Sequence, residues 1–338
     1  MRALYGRHGF ETALREMDNK CINGSLVRLR VIACGVCGTD LHFLRDAADF
    51  TPLGHEISAE VIEVGDAVTR VTLGDLVICE DVTLCGACDA CKRGETRLCR
   101  SGLTLSGQPG MSDQLIVHEN MLNRFTGIDP VVAAMTEPLA VAMRGVNKLS
   151  LKRFDDLVIF GLGAIGLFSC AYARSLGAGR IVMVARSPES LRNQAAEQAA
   201  RDLGASEVLY TQNPDFFSHA QAFGPFAAAV VAAPPALCAP ALSLVGYGGR
   251  VLAMGITLAA GQATPIDIND MIMNKKTLLT SLAEPASGFP EAIRMIASGA
   301  IDAGRVITHR VPLSKPETLK ELYAFDAPAI KTVILCGA

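Results

Sequence analysis

The run Gly161-Leu-Gly163-Ala-Ile-Gly166 constrains the fold of this chain more than any other feature. It follows an apolar stretch, Leu157–Phe160, and opens another, Leu167–Leu176, which Gly177 ends. Strand, glycine turn and helix in that order make the G-x-G-x-x-G pattern of a dinucleotide site. Gly161 permits the sharp turn, Gly163 lets the backbone approach a pyrophosphate, and Gly166 lets helix and strand pack closely. Ala164 and Ile165 lie within that turn, and the helix N-terminus after it offers free N–H groups to the phosphates. Further strands are expected at Ile181–Val184, Glu207–Tyr210, Ala228–Ala232 and Arg250–Met254, with a helix over Ser190–Leu203. This alternation predicts an α/β fold, a doubly wound parallel Rossmann sheet over residues 151–285.

The second of those strands runs into Ala185-Arg186-Ser187. An NAD site usually places Asp or Glu there for the ribose hydroxyls, and a carboxylate would repel a 2′-phosphate. Arg186 and Ser187 suit that phosphate instead, so NADP(H) is expected over NAD(H). The alternative leaves Arg186 as a solvated charge and gives the ribose to Glu189.

The first part of the chain reads differently. Val27–Ile32, Glu60–Val64 and Leu76–Cys79 are β-prone runs, with turn chemistry at Gly65-Asp66 and Gly74-Asp75. Cys85, Cys88, Cys91 and Cys99 follow, within a lobe over residues 80–102. Four thiolates at that spacing can close a tetrahedron, the shell of a structural zinc. Buried core cysteines have no reason to recur at intervals of three.

Composition narrows the function. With 338 residues, half of them hydrophobic, the chain is long enough for two domains and a sizeable core. Its net charge of −3 offers no field for nucleic acid, and Lys92, Arg93, Arg97 and Arg100 read as a solvated face. The apolar stretches 157–173 and 223–245 are cut by glycines and prolines, so no membrane partner is expected. Eleven cysteines without an apolar export segment suggest thiols kept reduced in the cytoplasm.

A second metal set lies in Gly35-Val36-Cys37-Gly38-Thr39-Asp40-Leu41-His42 and Pro52-Leu53-Gly54-His55-Glu56. A thiolate, an imidazole and a carboxylate suit a catalytic zinc that keeps one position open to substrate. Cys34 reads as a core residue, since only Cys37 precedes Gly-Thr-Asp.

These segments, with Met135-Thr-Glu137-Pro-Leu-Ala140 and the glycine turn, make the chain resemble the zinc-dependent medium-chain dehydrogenases of the alcohol and polyol kind. The resemblance covers essentially the whole length. It implies a mainly β, GroES-like catalytic domain over 1–150 and 286–338, with Pro290–Ser298 helical and Thr332–Cys336 a strand returning to it. It implies two zinc ions per subunit. Cys37, His55 and Glu56 would hold the catalytic one, and Glu137 would bind it directly or through water. It also implies that Asp40 fixes the His55 imidazole, Thr39 bonds the substrate hydroxyl, and His42 is the outer proton carrier.

The implied reaction is hydride transfer between coenzyme and a secondary alcohol or ketone. A polyol, sugar, amino-sugar or aminocyclitol derivative is expected, with simple alcohols or aldehydes as the alternative. The alternative from another class is a non-catalytic zinc- and nucleotide-binding structural protein. The loop between Cys37 and His55 is shorter than in most relatives, so family substrate rules need not transfer. A homodimer or homotetramer is implied, paired through edge strands of the nucleotide domain near Ala283 or Arg250–Ile256, the latter apolar and β-prone as a paired edge would be.

Overall fold

Val27, Leu29, Val31 and Ala33 are fully buried, so the strand Leu26–Gly35 belongs inside a sheet. A computed structural model, which describes residues 1–18, 20–105, 107–256, 263–282 and 288–337, shows that sheet. Its order is Leu122–Arg124, Leu76–Cys79, Glu56–Val64, Leu26–Gly35, Lys331–Leu335 and Ile307–Pro312, with Gln114–His118 also paired to Leu26–Gly35. All pairs are antiparallel except the last two strands of the order. The expected strand Glu60–Val64 starts earlier, at Glu56, because Glu56–Ser58 continue the buried ladder against Ala33–Gly35.

This sheet belongs to one compact unit, Met1–Glu137 with Glu284–Gly299 and Ile307–Ala338. Its core gathers Leu4, Leu29, Leu44, Leu53, Ile57 and Met111. The strand Lys331–Leu335 pairs with Ala33–Gly35, so the chain's late strand joins its early one.

The second unit, Pro138–Ala283 with Ala300–Val306, carries a six-stranded sheet. Its order is Glu207–Tyr210, Ile181–Ala185, Leu157–Phe160, Phe226–Val231, Val245–Ala253 and Thr277–Thr280, all parallel. Every residue of Leu157–Phe160 and of Ile181–Ala185 is buried, as a sheet covered on both faces requires. The units divide at 137/138, where the sequence reading sets 150. The helix Thr136–Lys148 accounts for the difference: at Gly145 an added Cβ would lie 2.7 Å from Met254 Sδ and 3.0 Å from Leu252.

One expectation is corrected. Arg250–Ile256 does not form an edge, because the strand Val245–Ala253 is flanked on both sides and Thr277–Thr280 occupies the end of the order. The Arg250 guanidinium is used internally, donating to the carbonyls of Leu149 and Ser150 and to Asp155 Oδ2. Ala283 and the boundary at 285/286 lie outside the described residues, as does the Arg97 side chain.

Candidate active site and metal centres

Cys37 and His55 reach one place because two segments are tied together there. Cys37 precedes the helix Gly38–Asp46, and Glu56 opens the strand Glu56–Val64. Asp40, almost fully buried, accepts the Cys37 N–H at 2.8 Å on one carboxylate oxygen and the Gly54 N–H at 2.9 Å on the other. The first bond is a helix-capping contact from the third residue back to the cap. An imidazole bond for Asp40 was the expectation. Among the described residues its carboxylate instead bonds the backbones of both ligand segments and acts on His55 as a charge.

One ligand atom each from Cys37, His55 and Glu56 lie within 4.8 Å of one another. Cys37 and His55 keep some exposure and Glu56 has none. Glu137 is outside that set but near it. Burial, then repulsion from Asp81 and Glu56, push its carboxyl up to about 8 against the opposing pull of His55.

Lys331, whose side chain is 5% exposed, closes the back of the site. Its Nζ donates to Glu56 Oε1 at 2.5 Å and to the Val36 carbonyl at 2.8 Å. Burial disfavours its charge, yet the Glu56 carboxylate beside it more than compensates and holds the ammonium well above its usual range. Glu56 Oε2 is buried with no hydrogen-bond partner among the described residues. A buried carboxylate oxygen without a donor calls for a cation.

His55 shows the same demand. Burial opposes its protonation, but the Cys37 contact and the charges of Cys37, Asp40 and Glu137 prevail and raise its pKa well above ordinary. The donor set of sulfur, nitrogen and oxygen, with one buried acceptor oxygen unused, fits a zinc ion.

On the helix Gly38–Asp46, Thr39 Oγ1 is 3.9 Å from Cys37 Sγ. His42 follows three residues later, on the same helix face, with Nδ1 3.9 Å from Asp46 Oδ2. Both are half-buried.

The lobe holds the second cluster. Ligand atoms of Cys85, Cys88, Cys91 and Cys99 also lie within 4.8 Å of one another. Cys85 Sγ is 3.9 Å from Cys91 Sγ and 3.6 Å from Cys99 Sγ. The N–H groups of Ala87 and Cys88 draw the Cys85 thiol down to about 6, which favours the thiolate a metal binds. Four sulfurs so close, in a chain whose cysteines are all free, fit a closed zinc shell.

In the second unit the glycine turn joins Leu157–Phe160 to the helix Ala164–Ser175. Gly161 has φ +112°, and a Cβ on Gly166 would fall 1.9 Å from the Gly161 carbonyl oxygen. Gly163 has nothing within 4 Å of such a Cβ, which leaves room beside the helix N-terminus. Ala164 and Ile165 are half-buried. Arg186 is exposed and makes no ion pair among the described residues. Ser187 Oγ accepts the Glu189 N–H, and its carbonyl accepts from Asn193.

Two family models match, "Alcohol dehydrogenase GroES-like domain" over residues 24–126 and "Zinc-binding dehydrogenase" over 164–298. The chain is 31% identical over 325 residues to the 2-dehydro-3-deoxy-L-galactonate 5-dehydrogenase of Pseudoalteromonas atlantica, covering 92% of each. This chain belongs to the zinc-dependent medium-chain alcohol and polyol dehydrogenases. It is an oxidoreductase of that family. It is 27% identical over 337 residues to the sorbitol dehydrogenase of Bacillus subtilis, covering 95% of this chain and 93% of that one. The structure of the alcohol dehydrogenase TADH from Thermus sp. ATN1 has the same fold, with TM-score 0.89 at 24% identity over 99% of this chain and 100% of that one. Among the described residues no helix is long and apolar enough to cross a membrane.

Sequence reading missed Lys331 and Asp81 at this site. Lys331 carried a signal, as a lone cation opening the apolar run Thr332–Cys336. Asp81 carried little, because its place depends on a strand register that the sequence does not reveal.

Proposed function

We propose that this enzyme moves a hydride between NADP(H) and a secondary alcohol or its ketone, the substrate being a polyol, sugar or amino-sugar derivative. One observation carries the reading: a thiol, an imidazole and a carboxylate converge within 4.8 Å while Cys37 and His55 stay accessible. Zinc bound there supplies Lewis-acid polarisation of the substrate oxygen. The nicotinamide coenzyme supplies the hydride acceptor, or the donor in the reverse direction. Oxidation converts the alcohol and NADP⁺ to ketone, NADPH and one proton.

The chain's own residues hold the metal and handle that proton. Cys37, His55 and Glu56 are the ligands in this reading, with Glu137 the carboxylate behind them. Asp40 and Lys331 keep the ligand segments in register. Thr39 Oγ1 accepts the hydroxyl proton as it passes its own onward, and the His42 imidazole, at the outer end of the relay, hands a proton to solvent. Cys85, Cys88, Cys91 and Cys99 hold a second, structural zinc.

Coenzyme choice rests on Arg186, whose guanidinium is free to grip a 2′-phosphate, with Ser187 beside it. Gly161, Gly163, Ala164, Ile165 and Gly166 shape the pyrophosphate turn. The enzyme is further proposed to be cytoplasmic, in keeping with its free thiols, and a homodimer or homotetramer. The end strand Thr277–Thr280 and the exposed Ile268, Ile272 and Met273 support pairing through the nucleotide unit.

The test is a screen of polyols, sugars, aminocyclitols and simple alcohols with NADP and with NAD, following nicotinamide absorbance. Turnover of a polyhydroxylated substrate, faster with NADP, is expected. Turnover of simple alcohols alone would reject the substrate class, and equal use of NAD would reject the role of Arg186.

A further inference from the structure

Asp81 has no place in the scheme above, yet the fold puts it at the metal set. In the antiparallel ladder between Glu56–Val64 and Leu76–Cys79, Ile57 is paired with Cys79. Two residues beyond that pair, past the ends of both strands, stand His55 and Asp81. The Asp81 backbone is fixed from two sides, its carbonyl accepting the Leu105 N–H at 2.8 Å and the preceding Glu80 N–H bonding the Met121 carbonyl at 2.8 Å. The carboxylate is close enough to His55 and Glu137 for their charges to act on one another.

Asp81 differs from the other acids there. Asp40, Glu56 and Glu137 are buried, whereas Asp81 keeps partial exposure. Glu56 has Lys331, while Asp81 has no lysine or arginine partner among the described residues. The site thus presents one reachable carboxylate beside the metal set, opposed by the charge of His55 and by no lysine or arginine among the described residues. With a divalent ion and Lys331 counted, and Glu137 kept neutral by its burial, the charges of Cys37, Asp40, Glu56 and Asp81 still leave an excess of negative charge.

We propose that Asp81 sets substrate choice, binding an ammonium group on the carbon chain or ring of a polyhydroxylated alcohol and excluding sugar acids. The proposal rests on the polyol reading given above. An ammonium group adds a full counter-charge to a partly desolvated carboxylate that already takes the backbone N–H groups of Val82 and of Asp81 itself, while a hydroxyl adds a donor alone. A carboxylate-bearing substrate brings like charge to Asp81 and is disfavoured. In this respect the chain would part from its relative named for a galactonate.

Three probes of one carbon skeleton isolate charge: 2-amino-2-deoxyglucitol, glucitol and gluconate. Dissociation constants are measured by calorimetry on the zinc-loaded protein and on Asp81→Asn, with zinc content and melting temperature recorded for both. Wild type is expected to bind the amine about tenfold or more tighter than glucitol, and gluconate weakest; about tenfold is 1.4 kcal/mol. Asp81→Asn should remove the preference for the amine and strengthen gluconate binding relative to glucitol, at unchanged zinc content.

Equal affinities in wild type, no binding of any probe, or an amine preference that survives Asp81→Asn would each overturn the proposal. Loss of zinc in Asp81→Asn would also overturn it, by making Asp81 a metal ligand. If the variant does not fold, the wild-type order of affinities still decides. The predicted order without turnover of any probe would count against the polyol dehydrogenase reading and leave the role of Asp81 standing.

Discussion

Lys331 Nζ lies 2.5 Å from Glu56 Oε1, with both side chains almost wholly buried. The same ammonium bonds the Val36 carbonyl, so one cation grips the residue before Cys37 and the residue after His55. Removing it leaves a buried carboxylate uncompensated, the costly way to break an ion pair. Lys331→Met should lower the unfolding free energy of its unit by roughly 3–5 kcal/mol. Adding Glu56→Gln to that variant should restore much of the loss. Urea midpoints for both variants check this, and an unmoved midpoint in Lys331→Met would show that the pair contributes nothing.

Arg186→Ala should raise KM for NADP about tenfold to a hundredfold, the loss expected when a charged hydrogen bond of roughly 1.5–3 kcal/mol disappears. KM for NAD should hardly change. Steady-state kinetics with both coenzymes decide, and a parallel rise in the two constants would return the ribose to Glu189.

Gly163→Ala and Gly166→Ala should fail differently. The Gly166 methyl would press 1.9 Å from the Gly161 carbonyl, so that variant should melt lower. The Gly163 methyl meets no protein atom within 4 Å, so that variant should melt normally yet bind NADPH poorly. Calorimetric melting and NADPH fluorescence titration separate the two, and normal NADPH affinity in Gly163→Ala would remove the pyrophosphate from that spot.

Cys85→Ser should leave one equivalent of zinc where wild type holds two. Elemental analysis after dialysis reads the difference. Full retention of both equivalents would mean that the sulfur cluster is not a zinc shell.

Acid should weaken the tie between the strand Arg2–Arg7 and Asp113, which precedes the main-sheet strand Gln114–His118. Burial alone would raise the Asp113 carboxyl, but the hydrogen bonds and charge of Arg2 prevail and hold it below the usual range. A depressed carboxyl gives its stabilisation in full above the unfolded value, about 3.9, and loses it as pH falls through the folded value. Asp113→Asn should therefore be less stable than wild type near neutrality, and the gap should close with acidification. Melting curves from neutral pH down to about pH 3 test this, and a constant gap would place the effect outside the carboxylate's charge.

The nucleotide unit was largely legible before folding. Leu157–Phe160 and Glu207–Tyr210 occur as strands at the bounds read from sequence, because the first is an apolar run ending at the Gly161 turn and the second is a short β-prone run after the helix stop at Gly204. The metal-binding residue types were legible for a different reason, since sulfur and imidazole at close spacing have few other uses. What stayed hidden depended on pairing. Lys331 reaches Glu56 only because two strands 275 residues apart align with Leu26–Gly35, and Asp81 comes near His55 only because each follows or precedes the Ile57–Cys79 pair by two residues. Arg250–Ile256 looked like an edge because an apolar β-prone run reads the same at the middle of a sheet as at its rim.

The Lys331 contact also bears on when the pocket matures during synthesis. Cys37, His55 and Glu56 emerge early from the ribosome, but the counter-charge for Glu56 arrives 275 residues later. Until then the three donors form an acidic, open cup with nothing to restrain its carboxylate. A nascent chain stalled before residue 331 would bind metal loosely, and firm loading belongs to the finished polypeptide.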